Sequence, residues 1–477
     1  MGEEGAGIVF LWLLVHNHLG LYRRTAGGRT GGTMWLPTLT EADPLVSSEG
    51  ALDPLGLYAI ADALAVELVP GVRERQQHPR FLTAMAVSLA VCADFEDGVV
   101  AKDSVSDPWQ VFEWYLVEGL VRTCTVDEIR GLPGRDKAAR ALRDRVPLAA
   151  LRYLKTPSVY GFHGVYRLLA RTLGVEAEGR LGELGHDLLV AWGDDQNLTG
   201  FHGSATGPGR EARQQLVSAV EHGLKKGATD RSGGWSGWTF FRDHLLPRRI
   251  GRRERRTLVK ALTGPQSDAR RQVMGFLVSP EGQGLWRRLL DEAEGSRFAD
   301  ERAFHAALRP HASANLRTLL DAIDAYEAFA QALQDAFDEC LYVMSRNRGR
   351  RTPPSELARA RLVREAAESC AALYHKAGER LLPFTGEASR FQDGFSALSE
   401  PMGAEEWVER LLEHHRRVQR NKPPNGKTPW FETFDDGSVV VRPGYIRDHG
   451  GVGDTSYVHT YRTQALWSFA EDLRMVS

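Results

Sequence analysis

Two consecutive heptad seams constrain this chain more than any other feature of its sequence. Leu319, Ile323, Tyr326, Ala330, Leu333, Phe337, Cys340 and Met344 recur at spacings of four and three, the period that keeps one face of an α-helix against a partner. Beyond Pro353-Pro354, with Ser355 as the expected N-cap, Ala360, Val363, Ala367, Cys370, Tyr374, Ala377 and Leu381 repeat in the same way. Bulky side chains on the first seam and mostly small ones on the second suit close packing. The break between them, SRNRGRRTPP, is too short for anything but an antiparallel return. The expectation is a helical hairpin over 314–382 that carries Arg346, Arg348, Arg350 and Arg351 at its tip. Its register sets Cys340 and Cys370 too far apart for a disulfide, which needs Cα atoms within about 7 Å.

The rest of the chain reads as helix after helix. Leu57, Ile60, Ala61, Leu64 and Leu68 share one face, and Asp107-Pro108 supplies an N-cap with proline at the first helical position before Trp109, Phe112, Leu116 and Leu120. Further helices are expected at 136–146, 158–173, 183–192, 209–224, 252–262, 267–278 and 298–308. Strands are scarce until two short apolar runs around Asp436-Gly437, a hairpin signal, which precede a packed terminal helix in YVHTYRTQALWSFAEDL. The fold class is mainly α: a multi-helix N-terminal region, the long antiparallel hairpin, and a small C-terminal β-hairpin plus helix.

At 477 residues the chain exceeds what one hydrophobic core supports. The expected domains are 34–265, 266–425 and a small α+β segment at 426–477. Residues 1–33 read as a poorly ordered extension or a mis-assigned start. GIVFLWLLV (7–15) is shorter than the roughly 20 residues a membrane helix needs. It follows Glu3 and Glu4, not positive charge, and glycine-rich RRTAGGRTGGT separates it from Met34. No membrane partner is therefore expected. The four cysteines lie far apart with no CxxC spacing, as small core residues of a reducing cytoplasm.

Signatures of catalysis are missing. The chain has no GxxxxGK[ST] phosphate loop, no GxSxG elbow, no HExxH and no dinucleotide fingerprint, and no cofactor or metal is expected. His375 and Glu379 lie one helical turn apart without a third ligand, a surface pair. Gly203–Gly209 reads as a loop ahead of a helix, and Asp435-Asp436 as a turn that lacks the acidic-x-lysine triplet of a nuclease hairpin. What remains is basic. PRRIGRRERRTLVK (247–260) places Arg249, Arg252, Arg253 and Arg256 on one helical face. With the hairpin tip and a third group, Arg416, Arg417, Arg420, Lys422 and Lys427, these arginines suit phosphate contact. Trp430 and Phe431 follow the third group as expected stacking surfaces. A net charge of −2 is compatible with such local patches.

The connector VPGVRERQQHPR (69–80) stops one helix at Pro70-Gly71 and opens the next after Pro79. Its Arg73, Arg75, His78 and Arg80 are expected in solvent, with a partner-facing role the alternative. Asp53–Thr83, together with HHRRVQRNKPPNGKTPWFE (414–432), resembles an uncharacterised bacterial family of large helical proteins. That family is known mostly from gene neighbourhoods in presumed anti-phage defence islands, beside helicase-like components. The resemblance implies a context and brings no active-site residues. The function expected is a non-catalytic, nucleic-acid-facing subunit of a defence or restriction-like assembly, binding DNA or RNA and other subunits. A protein-interaction scaffold with its arginines in ion pairs is the alternative, and a cryptic hydrolase or nuclease the third reading.

Overall fold

The computed structural model describes residues 53–203, 206–293, 299–423 and 425–476; the expectations for 1–33 lie outside them. The described chain is helical, with two short antiparallel strand pairs, as the periodicity required. No described helix is long and apolar enough to cross a membrane. In chain order the helices are α1 Tyr58–Leu68, α2 Phe81–Cys92, α3 Pro108–Thr123, α4 Arg135–Arg143, α5 Pro157–Tyr160, α6 Phe162–Leu173, α7 Glu183–Asp195, α8 Pro208–Lys226, α9 Gly237–Leu245, α10 Arg252–Leu262, α11 Asp268–Leu277, α12 Pro280–Glu292 and α13 Glu301–Leu308. Then follow α14 Ala314–Arg346, α15 Pro354–Leu357, α16 Arg361–Leu381, α17 Thr385–Phe395, α18 Ala404–Arg420 and α19 Thr463–Asp472. Strands β1 Glu176–Ala177 and β2 Arg180–Leu181 form one pair; β3 Phe431–Thr433 and β4 Val439–Val441 form the expected hairpin.

The compact units are discontinuous, and their boundaries do not coincide with 265/266 or 425/426. One unit ends its first segment at Asp62 and resumes over Asp321–His459; the second is Ala63–Leu320 with Thr460–Ser477. Hydrogen bonds explain both excursions. In the first unit Tyr326 donates its hydroxyl to Leu57 O (2.5 Å), His414 Nε2 to Leu55 O (2.7 Å) and His415 Nδ1 to Pro54 O (2.9 Å). In the second, the buried Glu301 carboxylate accepts from the backbone N–H groups of Tyr461 and Thr463, and Arg462 Nη1 donates to Val72 O (2.8 Å). Segments remote in sequence are thus tied by buried polar contacts that no periodicity displays.

In the first unit every member of the first seam from Ile323 to Met344 is buried, and Val363, Cys370, Ala377 and Leu381 answer them from α16. Phe329 meets Tyr374 (ring centroids 6.2 Å), the register of an antiparallel return. The hairpin is packed on by other helices, since α17 and α18 both lie against α16. Phe329 also contacts Phe391 and Phe395, and Phe337 lies flat on His415 (4.7 Å). Ser355 is not a cap. The chain makes the short helix α15, then re-enters helix with Ala360 extended at ψ 142 as the N-cap.

In the second unit α2 is the centre, which its almost unbroken apolar sequence FLTAMAVSLAVC demands. It packs on α3, α6 and α7, while α8 and α9 lie on α3 and α10 on α7. Asp107 caps α3 with Pro108 at its first position, as read from the sequence, and Gln110 completes a capping box with it. The connector corrects the expectation of a solvated run. Arg73 and Arg75 are exposed, but Gln76, His78 and Arg80 are buried. Gly71, at φ +80, turns the chain where a Cβ would stand 2.9 Å from Leu169 Cα. Gln76 Nε2 then donates to Val165 O (2.8 Å), and His78 bridges Asp472 Oδ2 and Arg130 O, both at 2.6 Å. Charge in a sequence run says nothing of burial when each charged atom has a partner waiting.

Candidate functional site

The first basic group keeps the helix that was expected of it. Helix α10 follows Gly251, and its opening N–H groups are taken by a carboxylate of the protein itself: Asp195 Oδ2 accepts from Arg253 N (2.7 Å) and Glu254 N (2.9 Å). Glu254, Leu258, Ala261 and Leu262 form its buried side. Fully buried Glu254 faces Arg80, whose Nε lies 3.1 Å from Oε1 while Nη1 and Nη2 donate to Leu246 O (2.8 Å) and His244 O (2.9 Å). Burial lowers the Arg80 pKa and Glu254 opposes that shift.

With Glu254 turned inward, the opposite side of α10 is left basic. Arg252, Arg256 and Lys260 are exposed, as is Arg249 just before the helix. None of the four has an ion pair or side-chain hydrogen bond among the described residues. Arg253, on the same stretch, is instead paired to Asp194, and Arg248 to Asp472 at 3.8 Å. Arg255 donates Nη2 to Ile250 O (3.1 Å); its pKa is lowered by burial and then by the charge of Arg474. Arg474, a lone arginine near the end of the chain, carried no sequence signal of this proximity.

The second group is free only in part. The left-handed backbone of Arg348 (φ +48) and Gly349 (φ +80) makes the turn, after which Thr352 exchanges backbone hydrogen bonds with Val439 at 2.9 Å in both directions. Arg351 lies over the Phe434 ring (3.9 Å) and 3.7 Å from Asp436, and Arg346 lies over Tyr342. Arg348 and Arg350 remain exposed and unpaired among the described residues.

The third group is largely consumed by the fold. Arg416 and Arg420 both pair with Glu413 at 2.7 Å, and Arg416 also donates to Thr433 Oγ1. Arg417 donates to Gly394 O and to His414 Nδ1. Lys422 donates to Asp53 O (2.6 Å), with burial pushing its pKa down to about 8. Only Lys427 is exposed without a side-chain partner among the described residues. Trp430 and Phe431 offer no stacking surface: both are buried, and Trp430 is covered by Tyr445 in a parallel stack at 4.6 Å. His375 and Glu379 are exposed on α16, and the described residues hold no group of three or more metal-ligating side chains.

Comparison with protein-family models, with curated proteins and with solved structures found no match.

Proposed function

We propose that the chain is a nucleic-acid-facing subunit of a bacterial defence or restriction-like assembly, and that its second unit makes the contact through Arg249, Arg252, Arg256 and Lys260. The observation that carries this reading is their exposure with no ion pair or side-chain hydrogen bond among the described residues, on or just before a helix whose single acidic residue is turned into the core. Such a face neutralises phosphates and releases counterions, an affinity independent of base sequence and steeply dependent on salt. The defence context rests on the resemblance of 53–83 and 414–432 alone. Anisotropy of labelled duplex and single-stranded DNA over a salt series tests the reading. Each arginine contact removed by Ala at 249, 252 or 256 is expected to flatten the slope of log K against log salt by about 0.9 on duplex. Absence of binding by the intact chain at low salt, or an unchanged slope in the triple variant, would overturn it.

A second reading applies to the first unit, where Arg416, Arg417 and Arg420 are engaged with Glu413, Gly394 O and His414. Arginines held this way suit a protein-interaction scaffold. Alanine at Arg416 and Arg420 is therefore expected to leave the DNA slope unchanged; a flattening equal to that of the α10 variants would remove this distinction.

A further inference from the structure

Three helices of the second unit bring together polar side chains that no motif connects. Glu113, on α3, is fully buried. Its Oε1 accepts from Tyr153 OH (2.6 Å) and Phe162 N (3.2 Å), and its Oε2 from His163 N (3.2 Å) and His163 Nδ1 (2.9 Å). The two backbone donors are the otherwise orphaned N–H groups that open α6. Gly161, the N-cap, permits this approach, because a Cβ there would fall 2.1 Å from Glu113 Oε1. Four donors converge on one carboxylate, so it accepts throughout and His163 carries its hydrogen on Nδ1. Nε2 is then the acceptor, and Ser88 Oγ on α2 lies 2.9 Å from it. The imidazole is held between the Phe162 ring (4.1 Å) and the Trp109 ring (4.9 Å).

Ser88 and His163, both buried (1% and 6% exposed), lie at the wall of a cleft of about 230 Å³. Ser88 and His163 line it together with apolar Met85, Leu89, Phe95 and Trp109, and acidic Glu96 and Asp97 also line it. Arg167 is the one arginine in that lining. Its Nε is held by both Glu176 oxygens (3.1 and 3.2 Å), and its terminal nitrogens make no hydrogen bond among the described residues. Cys92, 4.0 Å from Ser88 Oγ, is not the nucleophile; burial pushes its thiol up to about 12.

We propose that Ser88 is the nucleophile of an acyl-transfer site, with His163 as general base and Glu113 as its positioning residue, acting on small uncharged carboxylic esters. The roles are those of a serine–histidine–carboxylate relay. Ser88 Oγ forms a bond to the ester carbonyl carbon as its proton passes to His163 Nε2. The tetrahedral adduct then expels the alkoxide, which takes that proton and leaves as the alcohol. Water, deprotonated by the same nitrogen, hydrolyses the acyl-serine to free acid and restores the hydroxyl. The cleft, smaller than the usual ligand pocket of about 300–1,000 Å³, limits the substrate to a small ester of the size of a phenyl acetate, and Glu96 and Asp97 disfavour anions. Ser88 lies inside α2, where its own N–H is spent in the helix, so the nucleophile's backbone does not serve the oxyanion, and Arg167 is the cation in the cleft lining. Activated esters are the substrates to try first. This activity is separate from the arginine face.

The test uses the full chain with p-nitrophenyl acetate and, separately, a fluorophosphonate probe, reading p-nitrophenol release, intact mass and the modified peptide. A single adduct on Ser88 is expected. His163→Gln should slow labelling by about 10²–10⁴-fold, the contribution of a positioned general base, and Glu113→Gln should slow it and displace its pH profile. Ser88→Ala should abolish it, and triple alanine at 249, 252 and 256 should leave it unchanged. Folded wild-type chain with no adduct on Ser88, or an equal labelling rate in His163→Gln, would overturn the proposal. Should the polar variants melt early, the wild-type peptide map decides, together with Val99→Trp, which narrows the cleft from a lining residue outside the relay and should block labelling.

Discussion

Replacing Arg80 with Met is expected to cost the second unit about 3–5 kcal/mol, the penalty for stranding one member of a buried ion pair. The structure locates that cost. The two carbonyls that Arg80 serves keep other donors, since Trp192 Nε1 reaches His244 O (2.8 Å) and Arg249 N reaches Leu246 O (3.0 Å). Among the described residues Glu254 is left with Gly251 N at 3.3 Å and no cation at hydrogen-bond range. The loss therefore comes from an uncompensated carboxylate at zero exposure, not from orphaned backbone. Adding Glu254→Gln removes the charge as well, so the double variant should regain much of the stability, with an interaction energy of about 0.5–3 kcal/mol in the cycle. Urea titrations followed by tryptophan fluorescence measure all four corners, and the Arg80→Met loss should persist at 1 M salt because buried pairs are weakly screened. A loss below about 0.5 kcal/mol, the usual range for a surface substitution, would refute the buried pair and restore the solvated connector.

Phe337→Ala should cost about 3–5 kcal/mol, because that ring is fully buried on His415 and Trp430, while Arg350→Ala at the exposed turn should stay within about 0.5 kcal/mol; thermal melts compare them, and equal losses would contradict the packing. Burial holds the His415 pKa at about 3 and that of His414 at about 4, each below 6.5. The unfolded chain then binds more protons over the interval, so stability is complete above about 6.5 and falls as pH drops towards 4 and 3; a melting temperature flat across that range would sink this account. Cys340 and Cys370 are buried free thiols, with Cys370 pushed up to about 11 by burial, and should react with a thiol reagent only after denaturation.

The helices and the hairpin were legible because a 3.6-residue period records which side chains face the core, as the burial of Ile323 through Met344 shows. The connector was not, because Arg80 is buried only where Glu254 waits 174 residues away. The same holds for Ser88, Glu113 and His163, separated by 50 and 75 residues from the partners that define them. One signal was present. Glu113 interrupts an otherwise core-facing stretch, VFEWYLV in α3, and Ser88 interrupts FLTAMAVSLAVC. A polar residue at such a position needs a partner, although the sequence does not say which one.

The fate of the basic groups follows from the direction in which their nearby acids point, and this separates residues that composition treats alike. Glu413 precedes Arg416 by three positions and Arg420 by seven, so all three share one side of α18 and the acid neutralises that side in place. Glu254 stands within two positions of Arg252, Arg253, Arg255 and Arg256 in sequence, yet α10 rotates it into the core, where Arg80 meets it. A local charge count would predict partial neutralisation of both helices; burial of one acid leaves Arg252, Arg256 and Lys260 of α10 without an ion pair among the described residues. Glu254→Gln combined with Arg80→Met therefore changes the formal charge of α10 and its support together without altering its exposed face. DNA affinity and salt slope should match those of the unmodified chain in whatever fraction remains folded. A slope changed by this buried pair would mean that the α10 arginines are not the contact.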